Sequence, residues 1–126
     1  MSELNADNVV DLEADDFEEE PVEETGKARF EANGIEFEVV YTKKRLDLYE
    51  QRHTPIMASF IKNDGALSHA ELTSMLAYGL RSVGGSYVNP AKGMEMADRL
   101  IDANGYGAIF ETVFEALQRD CGFLFK

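Results

Sequence analysis

The chain has 126 residues, 44% of them hydrophobic, and a formal net charge of −12, a size for one domain with one core and no room for two. Such a charge argues against nucleic acid as a partner, because affinity for phosphate comes largely from Lys and Arg releasing counterions. There is no run of about 18 apolar residues to span a bilayer, the N-terminus lacks the positive charge of a secretory signal, and the single cysteine, Cys121, excludes an internal disulfide. The composition therefore predicts a soluble, cytoplasmic protein with no membrane partner, held together by packing alone.

The charge is unevenly placed. Eleven of the 24 acidic residues fall in the first 25 positions, where there is no Lys or Arg, and the remaining 13 are set against 12 bases between Gly26 and Lys126. Residues 1–25 thus read as an acidic arm. Its apolar residues Leu4, Val9, Val10, Leu12, Phe17 and Val22 are scattered among like charges, which predicts a disordered segment. Residues 26–126 read as a single α+β domain, mostly α, with an N-terminal β-hairpin followed by about four or five helices.

Lys27 to Tyr41 predicts the hairpin, because alternating runs flank Asn33-Gly34, a dipeptide that tolerates the positive φ angles of a two-residue turn. With that tip, Ala32 opposes Ile35, Phe30 opposes Phe37 and Ala28 opposes Val39, all on one face. The other face pairs Arg29 with Glu38 and Glu31 with Glu36. A two-stranded ribbon is marginal alone, so the phenylalanine face must lie on something.

Thr42 can cap a helix running to about Arg52, with Leu46 and Tyr49 on one side and Leu48 on a possible second stripe; its basic start, Lys43-Lys44-Arg45, reads as a solvated face. Thr54-Pro55 places a capping residue before a proline and introduces Ile56, Met57, Phe60 and Ile61, and Asn63-Asp64-Gly65 breaks the chain. Ser68 and Glu71 form a capping box for a helix whose apolar positions are Leu72, Met75, Leu76, Gly79, Leu80 and Val83, ended by Gly84-Gly85. Asn89-Pro90 opens the next, through Met94, Ala97, Leu100 and Ile101 to Asn104-Gly105. The last runs from Tyr106 or Ala108 to Cys121, with Phe110, Val113, Phe114, Leu117 and Cys121 on its stripe and Gly122 as its stop.

Chemistry finds little purchase in these residues. His53 and His69 have no second metal-type ligand at i+3 or i+4 apart from scattered acids, and both read as structural. Cys121 lies on an apolar stripe and reads as a small core residue. With no nucleophile elbow, phosphate loop, dinucleotide fingerprint or zinc-protease motif, the expectation is a protein that is not an enzyme, with no catalytic residues, metal or cofactor. Asp102 to Ile109 does match the first eight positions of an EF-hand loop, but Val113 stands where the bidentate Glu belongs. A second partial match uses Asp64, Gly65, Leu67 and Glu71, with Phe60 and Lys62 in place of carboxylates. A helix, a glycine-containing turn and a helix account for both segments without an ion. A calcium-binding EF-hand-like module remains one alternative, and an acidic nucleic-acid mimic that inhibits a basic protein is the other. The terminal Phe123, Leu124 and Phe125 either fold back onto the core beneath the hairpin or contact a neighbouring subunit or partner.

The order of these features resembles the tail assembly chaperones of long-tailed bacteriophages over about residues 27–125. The likeness is carried by Arg45, Leu46, Leu48, Tyr49 and Glu50 in the short helix after the hairpin, and by Leu67, Ser68, Glu71 and Leu72 opening a helix that ends in Gly79-Leu80-Arg81. Ala97, Leu100, Ile101 and Asp102, then Phe110, Glu111, Val113, Phe114, Glu115 and Leu117 before a Gly-Phe-Leu-Phe close, complete it. The acidic arm has no counterpart in the resemblance. What it implies is a non-enzymatic chaperone in the host cytoplasm that coats the long, helical tape measure protein before tail tube subunits polymerise around it. Self-association into homo-oligomers is implied too, as is a longer product of ribosomal frameshifting that recruits the tail tube protein. Neither nucleic acid nor membrane is an expected partner. Contacts would use Phe123, Leu124 and Phe125, together with Phe30 and Phe37 of the hairpin.

Overall fold

The hairpin forms in the expected register. In the computed structural model, which describes residues 18–20, 29–32 and 34–126, strands β2 (Arg29–Ala32) and β3 (Ile35–Val39) pair antiparallel. Arg29 lies opposite Glu38, Phe30 opposite Phe37, Glu31 opposite Glu36 and Ala32 opposite Ile35. Gly34 has φ +79°, the left-handed conformation for which the turn needs glycine. The proposed pairing of Ala28 with Val39 involves a residue outside those described.

Alternation buries one face of the hairpin. Phe30, Ala32, Phe37 and Val39 are each at most 1% exposed. Strand β1 (Glu18–Glu20) pairs antiparallel with β2, and β4 (Leu80–Ser82) with β3, giving a sheet in the order β1-β2-β3-β4. That strand departs from the expectation of a disordered arm at these three positions; residues 1–17 and 21–25 of the arm lie outside the described residues.

Five α-helices follow: α1 (Lys43–Glu50), α2 (Ile56–Lys62), α3 (His69–Gly79), α4 (Pro90–Asn104) and α5 (Tyr106–Asp120), with a 3-10 turn over Gly122–Phe125. The expected caps on three of them are in place. Thr42 Oγ1 accepts from the Arg45 N–H at 3.0 Å, and Asn89 Oδ1 from the Lys92 N–H at 3.1 Å ahead of a proline at the first turn. Ser68 and Glu71 complete the reciprocal capping box. Gly105, with φ +91°, both ends α4 and starts α5.

Thr54 does not cap α2. Pro55 occupies the cap position, and the Ile56 N–H donates instead to Glu50 Oε2 at 3.0 Å, a carboxylate supplied by the end of α1.

The largest correction is at the end of α3. Sequence periodicity carries that helix to Val83, but it stops at Gly79, and Leu80–Ser82 forms strand β4 against β3. The pairs are Val39 with Leu80, Glu38 with Arg81 and Phe37 with Ser82. The unsatisfied edge of β3 supplies hydrogen bonds that a further helical turn could not, and Leu80 is buried in the strand. Val83, counted as a core position, is 37% exposed. Two other apolar positions also leave the core: Ile61 is 77% and Met94 39% exposed, while Met96 takes the buried place on α4.

Helix α3 is the centre of the domain, buried without a break from Leu72 to Gly79. Its neighbour α4 approaches through Gly93, where an added Cβ would come within 3.3 Å of Ala77 Cβ. The far end of the chain locks the sheet. Asp120 Oδ2 accepts from the Tyr41 N–H at 2.9 Å, and Arg119 Nη2 donates to the Val39 carbonyl at 2.8 Å and to Asp120.

Candidate functional site

Tyr106, Phe110 and Phe114 recur every four residues on α5, so their rings lie one above another. The two successive centroid separations are both 5.8 Å, with the planes within 14° of parallel. Phe125 turns back from the 3-10 segment to meet Phe114 at 5.4 Å, and Phe60 of α2 sets its edge against Phe110 and Phe114. The Tyr106 hydroxyl donates to the Leu67 carbonyl and accepts from its N–H, which holds the top of the row against the loop before α3. Phe110, Phe114, Leu124 and Phe125 are partly buried against the core, and Tyr106 and Phe123 are exposed.

The five residues singled out in the sequence do not share a surface. Phe30 and Phe37 lie at 1% exposure inside the core, so hairpin contacts to a partner through them are corrected: their face is consumed by the domain's own helices. Phe123, Leu124 and Phe125 do reach the surface, Phe123 with Lys43 Nζ 5.1 Å above its ring. Phe125 rests on α2 and α5 rather than beneath the hairpin. Tyr106 and Phe60 were not singled out, although the four-residue spacing of Tyr106, Phe110 and Phe114 was there to be read.

A second polar surface lies beside α1. Arg45, expected in a solvated face with Lys43 and Lys44, is half-buried: its Nε donates to the Tyr78 carbonyl at 2.9 Å, and its guanidinium stacks 4.1 Å from the Tyr87 ring centroid. Arg81 approaches the same ring at 5.8 Å while pairing with buried Glu38 at 2.9 Å, and the Tyr87 hydroxyl donates to the Val40 carbonyl. Burial lowers the Arg45 pKa from its ordinary value. Arg45, Leu48, Gln51, Arg52, Tyr78 and Pro90 line a cavity of about 360 Å³. Arg52 also borders one of about 410 Å³ formed with Tyr49, His53, Thr54, Ala70, Glu71 and Ser74. In the second, His53 stacks on Tyr49 at 4.6 Å. Burial, followed by the nearby Glu71 and Glu50 carboxylates, pushes the Tyr49 hydroxyl up to about 12.

Neither EF-hand segment forms a calcium loop. Helix α5 begins at Tyr106, so positions 5 to 12 of such a loop fall on helix. The Glu71 carboxylate is already engaged by the Ser68 N–H at 2.8 Å, Ser59 Oγ at 2.8 Å and Asn63 Nδ2 at 2.9 Å. Among the described residues no group of three or more His, Cys, Asp or Glu is placed to hold a metal ion, and no helix is long and apolar enough to cross a membrane. His69 faces Asp98 at 3.8 Å on the surface. Cys121 is buried, and that burial raises its thiol pKa.

The hydrogen bond from the Ser68 backbone, followed by those from Ser59 and the Ser68 hydroxyl, holds Glu71 down at about 2 against an ordinary 4.5. A carboxyl whose folded pKa is depressed stabilises the fold above its unfolded value, and that contribution is lost as pH falls through the folded one. Urea midpoints measured from pH 6 to pH 2 are therefore expected to drop between about pH 5 and pH 2. The Glu71→Gln variant should begin lower and lose less over that interval.

Comparison of the chain with protein-family models, curated proteins and solved structures gives no match. The fold and its surfaces define a mostly helical α+β domain that presents one aromatic row and one arginine-lined cleft.

Proposed function

We propose that this chain is a non-enzymatic assembly chaperone of the long-tailed phage type, acting in the host cytoplasm, which covers apolar stripes of the tape measure protein until the tail tube closes around it. The observation that carries the reading is the row formed by Tyr106, Phe110, Phe114 and Phe125, with Phe123 exposed on the same 3-10 segment as Phe125. Its α5 portion extends about 12 Å, two turns of helix, and its rings already rest on the core. Rigid aromatic anchors of this kind lose little entropy when an amphipathic helix lies along them. Tape measure helices would take that place, self-association would repeat the row along their length, and the tail tube protein would be met through a longer frameshifted product.

Co-expression with the neighbouring tape measure gene tests this. The native chain is expected to hold that protein soluble and co-purify with it. Phe110→Ser and Phe123→Ser together should reduce the recovered complex about tenfold, equivalent to about 1.4 kcal/mol of binding, while circular dichroism shows unchanged helix content. Full recovery with the doubly substituted chain, or no complex with the native one, would defeat the proposal.

A further inference from the structure

Among the described residues, the cleft beside α1 is lined by two guanidiniums and an amide but by no acid, on a chain whose net charge is −12. Arg45 is fixed there: its Nε is committed to the Tyr78 carbonyl and its plane lies on Tyr87. The acceptor that matches a fixed, planar guanidinium is a carboxylate. Leu48 and Pro90 give the cleft apolar walls, suiting a peptide that mixes carboxylates with aliphatic side chains. Arg52 continues the track into the adjoining cavity. Glu71 in that cavity is already engaged by its own donors.

The chain itself carries a peptide of this chemistry. Residues 1–17 contain six acids and no base, with Val9, Val10, Leu12 and Phe17 among them. We infer that the acidic segment 1–17 docks in the Arg45–Arg52 cleft of its own chain, masking the basic surface with its own carboxylates. Reach is no obstacle: 17 extended residues can span about 56 Å, beyond the diameter of a domain whose radius of gyration is about 13 Å. Tethering supplies an effective concentration in the millimolar range that a free partner must exceed.

Zero-length carbodiimide cross-linking of the full chain, mixed in equal parts from light and nitrogen-15 cultures, reads the contact directly. Lys44 stands one turn before Leu48 on α1 and provides the reporting amine. Peptide mass spectrometry is expected to find residues 1–17 joined to Lys43 or Lys44 in light–light and heavy–heavy pairs. That yield should fall at least about fivefold in Arg52→Gln, which alters an exposed side chain, and in 1 M salt, where the screening length is about 3 Å. Lys126→Gln, which alters an exposed side chain outside the cleft, should leave it unchanged. Mixed light–heavy pairs would assign the cleft to the arm of a second copy and overturn the intrachain contact. So would cross-links insensitive to Arg52→Gln, or none at all.

Discussion

Gly79→Ala is expected to destabilise the domain by about 2–3 kcal/mol, the upper part of the range for forcing extra atoms into a filled core. Judged by helix propensity alone, the same change should stabilise, since glycine in a helix costs up to about 1 kcal/mol relative to alanine. The structure decides between the two. A Cβ at residue 79 would lie 2.6 Å from Tyr41 Cζ and 2.9 Å from its hydroxyl oxygen. Tyr41 is 2% exposed and cannot swing away without surrendering the hydrogen bond from its hydroxyl to the Met75 carbonyl at 2.7 Å. Thermal denaturation should show a melting temperature lower by about 10 °C or more in a domain of this size. In Gly79→Ala combined with Tyr41→Ala most of the clash should vanish, so the two changes should be far from additive. An unchanged or raised melting temperature for Gly79→Ala would show that Tyr41 is not fixed.

Arg81→Ala should be at least as damaging, costing about 3 kcal/mol, the lower end of the range for breaking a buried ion pair. Glu38 is 2% exposed, and its carboxylate accepts from Arg81 Nε at 2.9 Å across the β3–β4 pair. Removing the guanidinium takes from the buried Glu38 carboxylate its ion pair with Arg81, and it also strips one of the two cations from the Tyr87 ring. The double change Glu38→Met with Arg81→Met is expected to recover most of the loss, because the penalty lies in the unpaired charge. Urea unfolding of the single and double variants separates the cases. Equal instability of the two would place the loss in packing and not in charge.

Local chemistry explains which parts of the fold could be read from the chain. Asn33-Gly34 with alternation on both sides sets the hairpin register without reference to anything else. Ser68 with Glu71, and Asn89 with Pro90, signal helix starts within four residues. What escaped depends on distant partners. Leu76 and Leu80 fit a helical stripe, yet Leu80 is in a strand because β3, some 40 positions earlier, offers it an edge. Arg45 reads as one of three surface cations until Tyr78 and Tyr87, more than 30 residues away, are folded over it. The misplacement of Phe30 and Phe37 has a related origin: an apolar face that packs inward and one that receives a partner have the same pattern. The aromatic row on α5 was half legible, its spacing visible but not the loop and the α2 helix that leave it partly exposed.

The clamp between the last helix and the sheet has a consequence for how the chain matures. Tyr41 and Val39 receive their partners from Asp120 and Arg119, 79 and 80 residues further along, and the strand that closes the other edge of β3 waits for residue 80. On the ribosome, the hairpin therefore emerges as a marginal ribbon that stays incomplete until nearly all of the chain has been made. A reading-frame change after Cys121 would leave every residue of the clamp in place, whereas termination a few codons earlier would release a sheet without its lock.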